Sequence, residues 1–347
     1  MNVALLSPRF WPEVRRGTER FAHELARGLQ VAGHAPTIVT ASPGDAVQDG
    51  VTVRRVRRLP EDRLERRGFE RHLTHVPFAV RATRALAPDV VHALYPADAA
   101  GAARLGRPLV HSYMGIPHRT ALVARRERLR ITHEAVRAAD ATVVLSTTAR
   151  DAFARWLGVE ARVIAPGVDL DVFTPDPAAR AEQPTILCAA DPGEPRKRVG
   201  LLIEAFALVR RERPTARLIL DKRAAQAEGV ERRDLDDRAA LAGANREAWV
   251  CALPSWGEAF GLVLLEAMAC GTPVVGSNRE AIPEVIASDA VGRLFDGDDP
   301  AALARALLEA LELAEDPATS TACRAHAERY SWEATTRAYL DIYEELT

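Results

Sequence analysis

Short, continuous apolar runs recur along this chain, and helical patterns separate most of them. The first half carries NVALLSP, PTIVTA, VTVRRV, VVHAL, PLVHSY, ATVVLS and ARVIAP. The second half carries TILCAAD, ARLILDK, WVCALPS, PVVGS and VGRLF. A strand with one wet face alternates apolar and polar residues. A run that is apolar throughout is buried on both faces, which points to a parallel sheet covered by helices on each side. Amphipathic segments such as TERFAHELARGLQVAG, closed by Gly33, and LLIEAFALVRRER supply those helices. Between the two sets, residues 166–184 (PGVDLDVFTPDPAARAEQP) are rich in Pro and Asp and lack periodicity, so they read as the connection between domains. The 347 residues exceed one ordinary core and suit two. The expected fold class is α/β, with two doubly wound parallel sheets, each presenting a ligand-binding edge at the carboxyl ends of its strands.

Composition narrows the partners. With 48% apolar residues, 27% charged residues and a net charge of −2, nothing draws the whole chain toward nucleic acid. The four cysteines form no CxxC pair, and three of them sit in apolar runs, so we expect a reducing cytoplasm, no disulfides and no zinc site. MNVALLSPRF reads as a first buried strand rather than a leader, and no apolar stretch approaches the roughly 18 residues of a membrane span. Nearly every cation is Arg; the lysines are Lys197 and Lys222, which makes Lys197 stand out.

The chemistry concentrates in residues 255–275, SWGEAFGLVLLEAMACGTPVV, where Glu258 and Glu266 stand eight apart. A strand (WVCALP) leads through a loop with Gly257 and Gly261 into a helix. Helix N-termini offer unpaired amides that suit phosphate, and glycine lets a ligand approach the backbone. Eight residues of helix rise about 12 Å. That is of the order of the span from a nucleotide's ribose across a diphosphate to an attached sugar, whose hydroxyls carboxylates accept. The same spacing is also met by an N-terminal Glu favoured by the helix dipole and a solvated Glu266. DLD at 234–236 reads as a helix cap, DGDD at 296–299 as a turn, and neither as a metal site. His72 and His75 lack a third ligand nearby and read as surface residues.

SWGEAFGLVLLEAMACGTPVV resembles the E-x7-E signature of the family 4 glycosyltransferases, retaining enzymes of the GT-B fold. VVLSTTARDAF, ARVIAPGVDLDVFTP, PRKRVGLLIEAFALVRRERPTARLIL, AIPEVI and YSWEATTRAYLDIYEEL resemble further segments of that family. The resemblance implies a Rossmann-like acceptor-binding domain over 1–168 and a Rossmann-like nucleotide-sugar domain over 169–330. Residues 331–347 would form a helix packing back on the first domain. It implies that Glu258 contacts the hydroxyls of the transferred sugar and Glu266 the ribose. The backbone of Ala259, Phe260, Gly261 and Leu262 would follow sugar and phosphate. Lys197, in EPRKR, would sit on the donor diphosphate, where a cation stabilises charge developing on the leaving group. Gly17, in RRGTERF, would approach the phosphates, with Arg16 in place of a second glycine.

Three departures accompany the resemblance. Met114 stands where the family often has a histidine, with His118 close in sequence. Asp191 stands where it usually has a phosphate-binding Arg, leaving Arg196 or Arg198 to supply that charge. The stretch between ARLILDK and WVCALPS is short. The implied function is a retaining hexosyltransferase taking a GDP- or UDP-sugar as substrate, with no cofactor, no metal and no dedicated protein base. EPRKR is reminiscent of mannosyltransferases acting on phosphatidylinositol. Alternatives are a donor-binding homologue of weak activity that partners another enzyme, or a GT-B epimerase or phosphorylase. The acceptor is a hydroxyl compound of unidentified class, with Trp11 and Tyr113 available to stack on a sugar. Residues 54–71 are dense in Arg but diluted by Glu61, Asp62, Glu65 and Glu70, and read as a salt-bridged surface, with peripheral membrane contact as the alternative. The oligomeric state is not legible.

Overall fold

A computed structural model describes residues 1–11, 13–14 and 17–347. The chain forms two compact units, one of Met1–Pro166 with Trp332–Thr347 and one of Gly167–Ser331.

In the first unit the strands are β1 (Asn2–Leu6), β2 (Ala35–Thr40), β3 (Val47–Gln48), β4 (Val51–Arg55), β5 (Val90–Ala93), β6 (Leu109–Tyr113), β7 (Ala141–Val144) and β8 (Arg162–Val163). Their order in the sheet is β3-β4-β2-β1-β5-β6-β7-β8. All neighbours are parallel except the short edge pair β3–β4. β1 is central because Val3 to Leu6 are buried on both faces, with Leu5 in register with Ile38 on one side and His92 on the other. The helices are α1 (Gly17–Val31), α2 (Asp62–Arg66), α3 (Val76–Leu86), α4 (Pro96–Ala102), α5 (Arg119–Val123), α6 (Arg128–Ala138), α7 (Thr147–Leu157) and, in the second unit's sequel, α14 (Trp332–Leu346). α14 packs on α1 through Phe21, whose ring meets Trp332 at 5.5 Å and Tyr339 at 5.9 Å, both edge-on. Beneath it runs a buried polar chain. His92 Nδ1 lies 2.6 Å from the Tyr343 hydroxyl and Nε2 lies 2.7 Å from Ser112 Oγ, which is 2.9 Å from the Tyr339 hydroxyl. Four polar side chains satisfy one another, so their burial carries little penalty.

The second unit holds β9 (Thr185–Cys188), β10 (Arg217–Asp221), β11 (Val230–Arg233), β12 (Val250–Leu253), β13 (Val274–Ser277) and β14 (Gly292–Phe295), in the order β11-β10-β9-β12-β13-β14 and parallel throughout. Its helices are α8 (Val199–Glu212), α9 (Arg238–Glu247), α10 (Leu262–Ala269), α11 (Ile282–Val285), α12 (Pro300–Leu313) and α13 (Pro317–Glu328). Aspartates start three of them, Asp237 capping Ala240 N, Asp299 capping Ala301 N and Asp316 capping Ala318 N. The four cysteines are free and buried. Burial pushes the Cys188 thiol up to about 11 and those of Cys270 and Cys323 up to about 12. Among the described residues no helix is long and apolar enough to cross a membrane.

Gly292 shows how tightly β13 and β14 pair. A Cβ there would lie 2.3 Å from the Val274 carbonyl oxygen and 2.9 Å from Val274 Cγ2. Backbone cannot swing aside as a side chain can. Gly292→Ala is therefore expected to cost about 1–3 kcal/mol or more, read as a lower denaturant midpoint.

Four expectations change. Residues 166–184 are not a free connection. Arg246 donates to the carbonyls of Thr174 (2.8 Å) and Val172 (2.6 Å), Arg324 to that of Phe173 (2.8 Å), and Phe173 is fully buried, so all of the stretch after Pro166 is part of the second unit. The short stretch after ARLILDK still contains a strand, β11, whose VERR sequence hides it. The cap of α9 is Asp237, while Asp234 and Asp236 pair with Lys222 at 2.7 and 3.2 Å. His75 is not at the surface. It is 1% exposed and lies 2.7 Å from the equally buried Asp98, because the start of α3 packs under α4.

Candidate active site

In each unit the strand order reverses beside the first strand, between β1 and β5 and between β9 and β12. The loops leaving two such strands run in opposite directions and open a crevice at the carboxyl edge. In the second unit those loops are residues 189–198 and 254–261, the two segments that carry Arg196, Lys197 and Glu258.

The first loop is built by local chemistry. Asp191 Oδ1 accepts the Gly193 amide at 2.9 Å, and a 3-10 turn, Pro195–Lys197, follows. Arg198 ends it at φ 54°, a strained value for a side-chain-bearing residue. Its guanidinium is fixed, 5.5 Å from the ring centres of both Trp256 and Phe295, 2.9 Å from the Gly297 carbonyl and 3.1 Å from Asp298. Arg198 is thus an anchor, and of the two arginines proposed to supply phosphate charge only Arg196 faces the site. The Trp256 amide donates to the Arg196 carbonyl at 3.0 Å and ties the two loops together.

Across from this turn, Glu258 Oε1 accepts from Arg196 Nη1 at 3.0 Å and from Lys197 Nζ in a short ion pair. Arg196 also holds Glu194 at 2.9 Å. The Glu258 side chain is 12% exposed and that of Lys197 17%, so the pair is largely desolvated yet reachable. Glu258 does not stand on a helix. α10 begins only at Leu262, because Gly261 adopts φ 104° at its N-cap and turns the chain. The separation of the two glutamates is therefore set by a loop and one helical turn rather than by eight residues of helix. Gly257, at φ 68°, donates its amide to Glu280 Oε2 at 3.0 Å. Ala259 and Phe260 turn their side chains inward, Phe260 against Tyr330 at 5.7 Å, which leaves their backbone to form the loop's face. Glu266 is 3% exposed, on a helix apolar nearly all round. A solvated Glu266 is ruled out.

Asp191 is neutralised by a residue that the sequence did not suggest. Arg223 lies 3.2 Å from Asp191 and grips Asp221 at 2.6 and 3.1 Å. Burial pushes the Asp221 carboxyl up, but hydrogen bonds from Arg223 outweigh it and hold it below its ordinary value. β10 pairs with β9 through Leu220 and Cys188, so the loops that follow must meet, and that adjacency is invisible in one dimension.

The remaining candidates lie in the first unit. Gly17 opens α1, and a Cβ there would meet nothing within 4 Å. Arg16 lies outside the described residues. Met114 follows β6 and lines a cavity of about 350 Å³ together with Thr18, His72, Tyr95, Tyr113 and Arg128. His118 precedes α5 without a side-chain cap and is not on that wall. Trp11 is buried and stacks on His23 at 4.3 Å, a packing role. Tyr113 meets Phe153 edge-on at 5.0 Å while reaching the cavity.

Comparison with known proteins agrees with this layout. The family model described as Glycosyltransferase Family 4 matches residues 15–172, and that described as Glycosyl transferases group 1 matches residues 183–313. A protein of Xylanimonas cellulosilytica named D-inositol 3-phosphate glycosyltransferase is 32% identical, over 100% of this chain and 97% of its own length. One of the same name from Streptomyces avermitilis is 31% identical over 99% of this chain and 87% of its own. Among solved structures, sucrose-phosphate synthase from Thermosynechococcus elongatus superposes with a TM-score of 0.84 at 23% identity, covering 99% and 98% of the two chains. Anabaena Alr3699/HepE in complex with UDP-glucose superposes with a TM-score of 0.81 at 18% identity, covering 100% of both. The fold is GT-B, with two parallel-sheet α/β units. This chain belongs to the family 4 glycosyltransferases and is, by that membership, a hexosyltransferase.

Proposed function

We propose that the chain is a retaining enzyme that moves a hexose from a UDP- or GDP-sugar to a hydroxyl acceptor. The observation that carries this reading is Glu258 held by Lys197 and Arg196 between the two loops of the second unit's switch point. With donor bound, the diphosphate takes over the two cations, and Glu258 turns to the sugar hydroxyls. The start of α10 faces phosphate, and Glu266 accepts from the ribose. The bond between the anomeric carbon and the leaving phosphate oxygen breaks, and its electron pair stays on the phosphate. The acceptor oxygen bonds to the same face of that carbon, and its proton passes to the leaving oxygen. Lys197 stabilises the charge that builds there. The reading uses no metal and no protein base. In this reading Gly17 is assigned to the donor phosphates, and Met114 and His118 to the acceptor.

The acceptor named for the relatives makes inositol and its 3-phosphate natural first trials, and a cytoplasmic enzyme with ready access to nucleotide sugars fits the free thiols. Asp191 favours a second reading, a donor-binding homologue of low turnover, since it occupies the place of a phosphate-binding arginine.

The test is a screen of UDP-glucose, UDP-N-acetylglucosamine and GDP-mannose by thermal shift and by donor consumption. One donor is expected to raise the melting temperature and to be turned over, with a rate that excess EDTA leaves unchanged. Donor binding without turnover would select the second reading, and no nucleotide binding at all would overturn both.

A further inference from the structure

The cavity in the first unit is defined as much by its charges as by its shape. Among the described residues of its wall, Glu70, Arg71 and Arg128 are the charged groups and His72 is the one whose ordinary titration lies near neutrality. Arg128 is already engaged at all three nitrogens. Nε makes a short ion pair with Glu70 Oε2, Nη2 reaches Glu70 Oε1 at 3.1 Å, and Nη1 donates to the Ala121 carbonyl at 3.0 Å. Arg71 pairs with Glu65 at 3.3 Å, and its side chain is half exposed. Glu70 also accepts the Arg71 amide at 2.8 Å. Burial pushes its carboxyl up, but Arg128 and that amide outweigh the effect and keep it ionised.

His72 is the unusual member. Its backbone sits at φ 60°, strained for a β-substituted residue. Glu61 enforces this conformation by accepting the amides of His72 (2.9 Å), Leu73 (2.7 Å) and Thr74 (2.8 Å). The ring meets Tyr95 edge-on at 5.6 Å, and the Tyr95 hydroxyl donates to Glu19 at 3.1 Å. Burial, with help from nearby Arg9, lowers the His72 imidazole to about 4, so it is neutral at physiological pH. Its Nδ1 is buried and takes no hydrogen bond from the chain. A neutral imidazole offers one donor and one acceptor, the complement of a hydroxyl.

We infer that this cavity admits a neutral polyhydroxy acceptor and rejects its phosphate ester, with His72 as the residue that binds an acceptor hydroxyl. A phosphate entering here would meet the Glu70 carboxylate, or would have to displace Glu70 from Arg128 or Glu65 from Arg71, leaving a carboxylate unpaired. A sugar or cyclitol hydroxyl needs neither, and can exchange a hydrogen bond with the neutral His72 ring on the wall. The phosphorylated acceptor in the relatives' name would then not carry over. The inference rests on the transferase reading only for the word acceptor; what the cavity selects is measured without donor.

The probes are two matched pairs, myo-inositol with its 3-phosphate and glucose with glucose 6-phosphate, titrated calorimetrically into the full chain. The neutral member of at least one pair is expected to bind at least tenfold tighter than its ester. Glu70→Gln, which releases Arg128, should narrow or reverse that ratio, and His72→Ala should weaken the neutral member about tenfold. UDP binding serves as the check that each variant is folded. If Glu70→Gln does not fold, the wild-type ratio and His72→Ala still decide. An ester that binds the wild type as well as or better than its parent overturns the inference, as does failure of all four probes to bind. A clear preference for the neutral member together with no donor turnover would count against the transferase reading alone.

Discussion

Lys197→Ala is expected to lower kcat for sugar transfer by about 10²–10³-fold while leaving nucleotide binding within about tenfold of wild type. Removing one preorganised group that stabilises charge in the transition state has that effect elsewhere, because the charge is larger in the transition state than in the bound donor. Glu258→Ala should lower kcat by a comparable factor through a different route, since it withdraws contacts to the sugar rather than to the phosphate. It also removes the carboxylate from Lys197 and leaves Arg196 with Glu194 as its partner. The two variants separate in donor binding: loss of Glu258 should spare or improve UDP binding, because it frees Lys197 and leaves Arg196 with Glu194 alone, and loss of Lys197 should weaken it. Stopped assays of product formation, with UDP titrated by calorimetry, measure both. Full activity in Lys197→Ala would remove the diphosphate role from this residue.

The second large effect is on stability. His92 and His111 are both fully buried, and burial lowers His92 to about 3 and His111 to about 4. In the unfolded chain both titrate near 6.5. Their folded values are depressed, so between pH 6.5 and about 4 the unfolded state binds protons that the folded state refuses, and stability falls as pH drops. Each contributes up to about 1.4 kcal/mol per pH unit in that window. His75 works in the other sense. Burial pulls it down, but the ion pair with Asp98 wins and raises it, so its stabilisation is present below pH 6.5 and is lost as pH rises through its folded value. That stabilisation is already complete at pH 6.5, so below it His75 adds no slope, and between pH 7 and pH 4.5 it offsets less than about 1 kcal/mol of the loss. The net expectation from these three histidines is a loss of about 4 kcal/mol between pH 7 and pH 4.5, read from urea melts. His92→Gln should flatten the slope by about one proton. A midpoint that does not move between these pH values would show that the imidazoles are not held neutral.

Much of this architecture is legible in one dimension for a simple reason. Strands of a parallel sheet covered on both faces are apolar at every position, so VALL, TIVT and TILC announce themselves and imply two switch points. What escapes is what depends on neighbours. β11 is an edge strand whose VERR pairs on one side, so its charged residues disguise it. The cluster of Glu258, Lys197 and Arg196 was assembled from a family resemblance, and spacing alone placed Glu258 on a helix that in fact starts four residues later. A positive φ at Gly261 makes that difference, and glycine permits such a value without demanding it. The pairing of Asp191 with Arg223 needs the register of β9 and β10. The buried ion pair of His75 with Asp98 needs the packing of α3 on α4, and no local pattern separates it from a surface histidine.

The burial of all four cysteines has a practical consequence. A thiol reacts as its thiolate, and every native thiol here is both shielded and held protonated at neutral pH. The natural chain is therefore already a background for site-directed labelling, with no cysteine to remove first. One cysteine placed on an exposed helix position in each unit, such as Val31 on α1 and Glu309 on α12, would take a donor and an acceptor fluorophore. The distance between the units, with and without nucleotide sugar, then becomes a quantity read directly in solution.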